Sequence, residues 1–242
     1  MIDTHCHIDL YENPLDVLNE CRKAGITVIG MTNLPSHFEL GHPHVLPFNK
    51  IRLALGMHPL YAESHEKEFP LFIKNLHKTS YIGEVGLDFS REGYSTKDIQ
   101  LDSFQRILGI VTGKNKILSL HSRRAEKEVL GLLIQNKIEN AIFHWYSGPL
   151  GLIDKIVEAG YYLSINTAMI RSESGKKIIS RIPKAFILTE TDGPFVQLDS
   201  RPVRPSDTVL IHQYLSNVWG KSVQDSSDVI KGNFQNLLSK IR

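Results

Sequence analysis

Residues 1–10 read MIDTHCHIDL. If this segment is a strand, His5 and His7 project from the same side, because side chains alternate with a period of two. Two imidazoles then face one point, and imidazole is the commonest side-chain metal ligand. A polar residue at each edge of a buried strand is the plainer explanation, and an HxH pair alone does not choose between them. The rest of the chain has to.

The pattern begun here repeats. Short apolar, β-branched runs follow at ITVIGMTN (26–33), IRLALGMH (51–58), YIGEVGL (81–87), KILSLHS (116–122), NAIFHW (140–145), YYLSIN (161–166) and AFILTET (185–191). Amphipathic stretches stand between most of them: PLDVLNECRKAG (14–25), HEKEFPLFIKNLHK (65–78), TKDIQLDSFQRILGIV (96–111), RRAEKEVLGLLIQN (123–136) and GLIDKIVEAG (151–160). Strands that read as continuous apolar runs are covered on both faces, as in parallel sheets. Eight such strands alternating with helices predict an α/β fold of the (β/α)8 TIM-barrel type, one domain over residues 1–242. The second unit is weak. Between its strands lies LPSHFELGHPHVLPFNK (34–50), and Pro35, Gly41, Pro43 and Pro47 argue against a regular helix of normal length there. SDTVLIHQYLSNVWGK (206–221) and SVQDSSDVIKGNFQNLLSKI (222–241) read as two closing helices. Ser206 or Asp207 is the expected N-cap of the first, and Ser226, Ser227 or Asp228 that of the second.

Bulk composition fits this. The chain has 242 residues, 41% hydrophobic and 22% charged, as in an ordinary soluble globular protein. No apolar run approaches the roughly 18 residues of a membrane span. Asp3, His5, His7 and Asp9 interrupt the first segment, so it does not read as a secretory signal. The only cysteines are Cys6 and Cys21, which points to reduced thiols and a cytoplasmic setting. In a strand Cys6 faces away from His5 and His7, so burial is expected rather than ligation. A net charge of +2 is no strong footprint for nucleic acid, yet it does not exclude an enzyme gripping a few phosphates beside a metal.

Residues with ligand chemistry fall at the C-terminal ends of the expected strands. His5 and His7 end the first, His58 the third, His121 the fifth, His144 the sixth and Asp192 the eighth, while Glu84 lies in the fourth. In an α/β barrel these ends share one mouth, the active-site face. Taken singly, each residue has a bland reading. A histidine there can simply bond the backbone, Glu84 can be an ion-pair partner, and Asp192 before Gly-Pro can start a turn. Their joint placement is hard to obtain by accident. His37, His42, His44, His65, His77 and His212 fall in loops or helices and read as ordinary residues. Two divalent ions about 3.5–4 Å apart can clamp the attacking and leaving oxygens of a phosphoryl displacement. Such a pair needs a bridging carboxylate, for which Glu84 is the candidate. His5, His7, His121, His144 and Asp192 can supply the other ligands, and Asp192 can take the proton of an attacking water. Nitrogen-rich ligation suits Zn²⁺, Mn²⁺ or Fe more than Mg²⁺.

Seven segments, HCHID, GMHP, IGEVGLDF, LHSRRA, FHWYSG, ILTETDGP and KGNFQNLL, resemble in the same order the signature segments of the TatD family of metal-dependent deoxyribonucleases. The resemblance runs from residue 1 to about 238. It implies an amidohydrolase-type barrel using two divalent metal ions (Mg²⁺, Mn²⁺ or Zn²⁺). It also implies hydrolysis of phosphodiester bonds, often as a 3′→5′ exonuclease on single-stranded DNA. Carried over, His5 and His7 hold one ion with Glu84 and Asp192, while Glu84 bridges to a second held by His121 and His144. His58 faces the scissile phosphate, and Arg123 and Arg204, with Arg201 as rival, steer phosphates. The chain departs from the family at Leu60, where a second histidine is common, at Gly193, where ETDSP is usual, and at HWYSG in place of HCFSG. These changes spare the ligands and fall where a nucleotide would rest. Trp145 and Tyr146 either stack on a base or pack in the core. The chain is also similar to TatD-like nucleases of bacterial anti-phage defence operons, such as the QatD component of the Qat system. That likeness implies antiviral defence and partner proteins, while a barrel of this size can act as a monomer. Two other readings stay open. One is a metal-dependent carbonyl hydrolase, such as an amidase, lactonase or aminoacyl-tRNA deacylase. The other is a non-catalytic metal-binding subunit.

Overall fold

Eight parallel strand positions alternate with helices along residues 1–241, the part of the chain described by a computed structural model. They are β1 (Ile2–Cys6), β2 (Thr27–Gly30), β3 (Ile51–Leu53) with its continuation β4 (Leu55–Met57), β5 (Tyr81–Gly86), β6 (Ile117–His121), β7 (Ala141–Phe143), β8 (Tyr162–Ile165) and β9 (Ile187–Thr189). Each pairs in parallel with the next, in the order β1-β2-β3 and β4-β5-β6-β7-β8-β9. This is the (β/α)8 architecture. Every residue of β1, β4, β7, β8 and β9 is buried; β4 and β7 carry no polar side chain, whereas β1 buries Asp3, Thr4 and His5, which are used at the seam and the site.

Two seams complete the ring. Between β3 and β4, Thr32 mends the break at Ala54. Its hydroxyl donates to the Ala54 carbonyl (2.9 Å) and accepts from the Gly56 N–H (3.0 Å). Gly56 is required there, since a Cβ would sit 1.6 Å from the Thr32 carbonyl oxygen. The Thr32 carbonyl in turn accepts from the Glu84 N–H (3.2 Å), so the seam helps to fix Glu84. The other seam joins β9 to β1 largely through side chains. Thr4 donates to the Thr189 carbonyl (3.1 Å) and Thr189 to the Ile2 carbonyl (2.6 Å). Asp3 accepts from the Thr191 N–H (3.0 Å) and hydroxyl (2.5 Å).

The helices lie where the amphipathic stretches place them: α1 (Pro14–Ala24), α3 (His65–Asn75), α4 (Lys97–Val111), α5 (Glu126–Gln135), α6 (Leu150–Glu158), and the closing pair α9 (Thr208–Trp219) and α10 (Val223–Ser239). Two short helices, α7 (Thr167–Arg171) and α8 (Glu173–Arg181), fill the last crossover. The second unit corrects the expectation of no regular helix. Pro35–Val45 forms α2, eleven residues long. Pro35 occupies its first turn, where a missing N–H costs nothing, and Pro43 enters only at the last turn. A second correction concerns α10. Its N-cap is Ser222, whose hydroxyl accepts from the Asp225 N–H (3.0 Å) in a capping box, so Ser226, Ser227 and Asp228 lie inside the helix. Asp207 precedes α9 without a side-chain capping bond. Cys6 and Cys21 are both buried and free, and among the described residues no helix is long and apolar enough to cross a membrane.

Candidate metal centre

The strand order brings His5, His7, His58, Glu84, His121, His144 and Asp192 into one buried cluster. It forms the floor of a cleft of about 590 Å³ at the C-terminal ends of the strands. Glu84 stands at its centre and its two oxygens face different partners. Oε2 lies 3.1 Å from His7 Nε2 and 3.4 Å from His5 Nε2. Oε1 lies 2.6 Å from His121 Nδ1, 3.1 Å from His144 Nε2 and 3.4 Å from His58 Nε2. On the first side His5 and His7 present Nε2 atoms 3.3 Å apart, and Asp192 Oδ1 stands 3.7 and 3.8 Å from them. A tetrahedral ion with bonds of about 2.0–2.1 Å holds its donor atoms about 3.3 Å apart. The spacing of these four residues therefore fits one divalent cation. Three donor sets, His5–His7–Glu84, His5–His144–Asp192 and His58–Glu84–His121, each converge within 4.8 Å. His144 thus reaches both sides, and His58 is as close to Glu84 as several of the expected ligands.

His5 and His121 are held by a hydrogen bond from behind and His144 faces a carboxylate, whereas His7 Nδ1 has no hydrogen-bond partner among the described residues. His5 Nδ1 is 2.8 Å from the Ser119 hydroxyl, and the His5 ring stacks on His144 at 3.8 Å. His121 Nε2 lies 2.8 Å from Asp88 Oδ2, and His144 Nδ1 lies 3.4 Å from Glu190 Oε1. Glu190 is itself held by the Trp145 N–H (3.0 Å), the Asn166 amide (3.1 Å) and the Ser164 hydroxyl. Asp88 and Glu190 were not among the residues expected from sequence. Both lie in the quoted segments IGEVGLDF and ILTETDGP. Glu190 precedes Asp192 by two residues, the spacing that puts two side chains on one side of an extended chain. Carboxylates behind ligand histidines fix ring orientation and raise basicity. His65, read as ordinary, is a strut: its Nε2 donates to the His58 carbonyl (3.0 Å) and its Nδ1 meets the Ser103 hydroxyl (2.6 Å).

The electrostatics centre on the negative charge of Glu84, which with Asp88 and Glu190 raises His7, His121 and His144 against the effect of burial. Burial pushes Glu84 upward, but the surrounding His58, His144 and His121 hold it well below the usual carboxylate range. Burial and the neighbouring His144 push His5 down to about 3, leaving its nitrogen free of a proton at neutral pH. Burial raises Asp192 to about 7, against the pull of His144 and His7. A carboxylate poised there can take up a proton near neutrality. Asp192 is also fixed by its backbone: its φ is +50° and its N–H donates to the His5 carbonyl (2.8 Å).

The arginines divide. Arg123 lines the cleft, with its guanidinium 3.2 Å from Glu92. Arg204 does not line it, because its guanidinium is bound to Glu20 at 2.7 Å. Its rival Arg201 grips Asp207 through two bonds of 2.7 Å and also lies outside the cleft. The pair Trp145 and Tyr146 divides too. Tyr146 is buried with its hydroxyl on the Pro149 carbonyl (2.7 Å), whereas Trp145 stands at the cleft.

Gly193 has a structural partner. A Cβ there would lie 1.9 Å from the Tyr11 hydroxyl and 2.5 Å from the Val203 carbonyl oxygen, and that hydroxyl already donates to the same carbonyl. Tyr11 fills the space that a side chain at 193 needs. Gly193→Ser is expected to cost about 1–3 kcal/mol of stability by overpacking. Urea midpoints check this, and the double variant with Tyr11→Phe should lose less than the two single losses together.

The family model described as TatD related DNase matches residues 2–239. An uncharacterized metal-dependent hydrolase of Methanocaldococcus jannaschii is 27% identical over 244 residues, covering 96% of this chain and 94% of its own. Deoxyribonuclease TATDN3 of Homo sapiens is 28% identical over 263 residues, covering 100% of this chain and 96% of its own. Among solved structures, the Escherichia coli TatD homolog YJJV superposes with a TM-score of 0.88 at 22% identity, over 98% of this chain and 97% of that one. With a family match over nearly its whole length, the chain belongs to the TatD-related DNases.

Proposed function

We propose that this chain hydrolyses phosphodiester bonds of single-stranded DNA, removing nucleotides from the 3′ end, with two divalent cations held on either side of Glu84. The observation that carries the reading is the division of Glu84, whose two oxygens each face a separate set of imidazoles. The naming of relatives as deoxyribonucleases supports DNA as the substrate. His5, His7, Glu84 and Asp192 would hold one ion, and Glu84, His121 and His144 the other, with His58 turned to the scissile phosphate. Bound there, such ions supply Lewis acidity and make water a nucleophile at neutral pH. The chain's own residues do the rest. Asp192 takes the proton of the attacking water as the water oxygen bonds to phosphorus and the bond from phosphorus to the 3′ oxygen breaks, the departing 3′ oxygen taking a proton from solvent to leave as a hydroxyl. Asp88 and Glu190 hold the rings of His121 and His144 in place. Arg123 stands at the rim, within reach of a phosphate.

The test is protein stripped of metal, reloaded with Mg²⁺, Mn²⁺ or Zn²⁺, and given 5′-labelled single-stranded DNA. A metal-dependent ladder shortening from the 3′ end is expected. Intact DNA, from protein that binds two ions and cleaves an ester or amide, would replace the nuclease with a carbonyl hydrolase.

A further inference from the structure

Four residues that line the cleft, Leu60, Tyr61, Trp145 and Phe195, are large, apolar and exposed, and three of them are aromatic. Exposure is 58% for Phe195, 42% for Tyr61 and 36% for Trp145, unusual for side chains that normally bury most of their surface. They stand beside the cluster of histidines and carboxylates at the floor of the cleft. Phe195 meets the ring of His7 edge-on at 5.1 Å, and Tyr61 meets His58 edge-on at 6.0 Å. Trp145 follows His144 with a φ of +36°, a turn anchored by its N–H on Glu190. Among the described residues neither the Tyr61 hydroxyl nor the Trp145 indole N–H has a hydrogen-bond partner, so no polar contact ties down either ring. The core does not need these rings, and they flank the place where a scissile phosphate would sit.

The charge of the same rim points the same way. Arg123 is the one Lys or Arg among the residues lining the cleft, and Glu92 pairs with it at 3.2 Å. Glu84, Glu92 and Asp192 line it as well. A cleft with one offset cation grips a phosphate backbone poorly outside the metal site. Aromatic faces grip any unpaired base, because every base offers a π-face.

We propose that Tyr61, Trp145 and Phe195 form a stacking rim for the unpaired nucleobases next to the scissile bond, so that substrate is selected by its bases more than by its phosphates. This rests on the nuclease reading above and adds to it a recognition element. A base held in a duplex cannot present its face to such a rim, which makes an unpaired end the preferred substrate. With Arg123 as the one protein cation lining the cleft, about one phosphate is neutralised by the chain, and binding should fall with salt at a logarithmic slope of only about −0.7.

The experiment compares kcat/KM on two labelled single strands, one ending in two natural nucleotides and one ending in two abasic tetrahydrofuran nucleotides. Stacking of one base corresponds to about a tenfold effect or more. Wild-type protein should therefore lose about tenfold or more on the abasic end. Trp145→Ala and Phe195→Ala should lose about tenfold on the natural end and little further on the abasic end, while Trp145→Phe should restore the difference. Equal cleavage of both ends by the wild type overturns the rim and leaves the nuclease standing. Variants that lose the same factor on both ends also overturn it. A wild type that cleaves neither end, nor bis(p-nitrophenyl) phosphate, brings down the nuclease reading itself and the rim with it.

Discussion

Glu84→Ala is expected to abolish hydrolysis and to lower the metal content by more than one ion per chain. Both expectations follow from one carboxylate facing two donor sets. Its Oε2 completes the set of His5 and His7, and its Oε1 the set of His58, His121 and His144. Removing it leaves five imidazoles, four buried and His121 half-buried, facing one another with no shared anion. A partner behind a ligand is worth about 10–100-fold in affinity or activity, and a shared ligand should exceed that, with a loss of about 10³-fold or more. Glu84→Gln keeps the shape and removes the charge, so it separates packing from electrostatics. Metal analysis by mass spectrometry beside the cleavage assay checks both outcomes. A Glu84→Ala protein that still holds two ions would show that Glu84 does not bridge.

Asp192→Asn should behave differently: turnover falls by about 10²–10⁴-fold, the usual range for loss of a general base, while metal content changes far less. The distances explain the contrast. Asp192 Oδ1 stands 3.7 and 3.8 Å from His5 and His7, farther than Glu84, so it is the looser member of that set. In the metal-free chain burial raises its carboxyl to about 7, and a cation beside it would lower that value, favouring the ionised form that accepts a proton. Asparagine preserves the shape but cannot take the proton. Single-turnover rates with metal content measured on the same sample decide the matter. If Asp192→Asn turned over at the wild-type rate, the proton would have to leave by another group.

Much of this was legible in the sequence, for a physical reason. Strands covered on both faces are mostly apolar, so the eight runs stand out by composition, and the polar residues inside them mark the seam and the site. The six expected metal ligands were visible because each interrupts or ends such a run with a group that burial penalises. What was not legible depended on context. α2 carries two prolines, but at a first and a last turn, where each costs little. Arg204 read as a phosphate contact because an arginine after the last strand is suggestive, yet Glu20, 184 residues away, binds it. Asp88 and Glu190 lie inside the signature segments, yet nothing in the sequence singles them out. Their function is to orient other residues, and no single-sequence pattern marks that.

The seam between β1 and β9 also sets a clock. The contacts that close it, Thr189 to Ile2 and Cys6 to Gly193, join residues 187 apart. At about 5–20 residues per second on the ribosome, His5 and His7 emerge roughly 10–40 s before Asp192. Through that interval the nascent chain displays an HxH pair with no Asp192 beside it and no barrel to restrict which ion it meets. Such long-range closure is slow to nucleate. The full donor set around His5 and His7 is therefore assembled only when β9 docks, after every other barrel strand has been made.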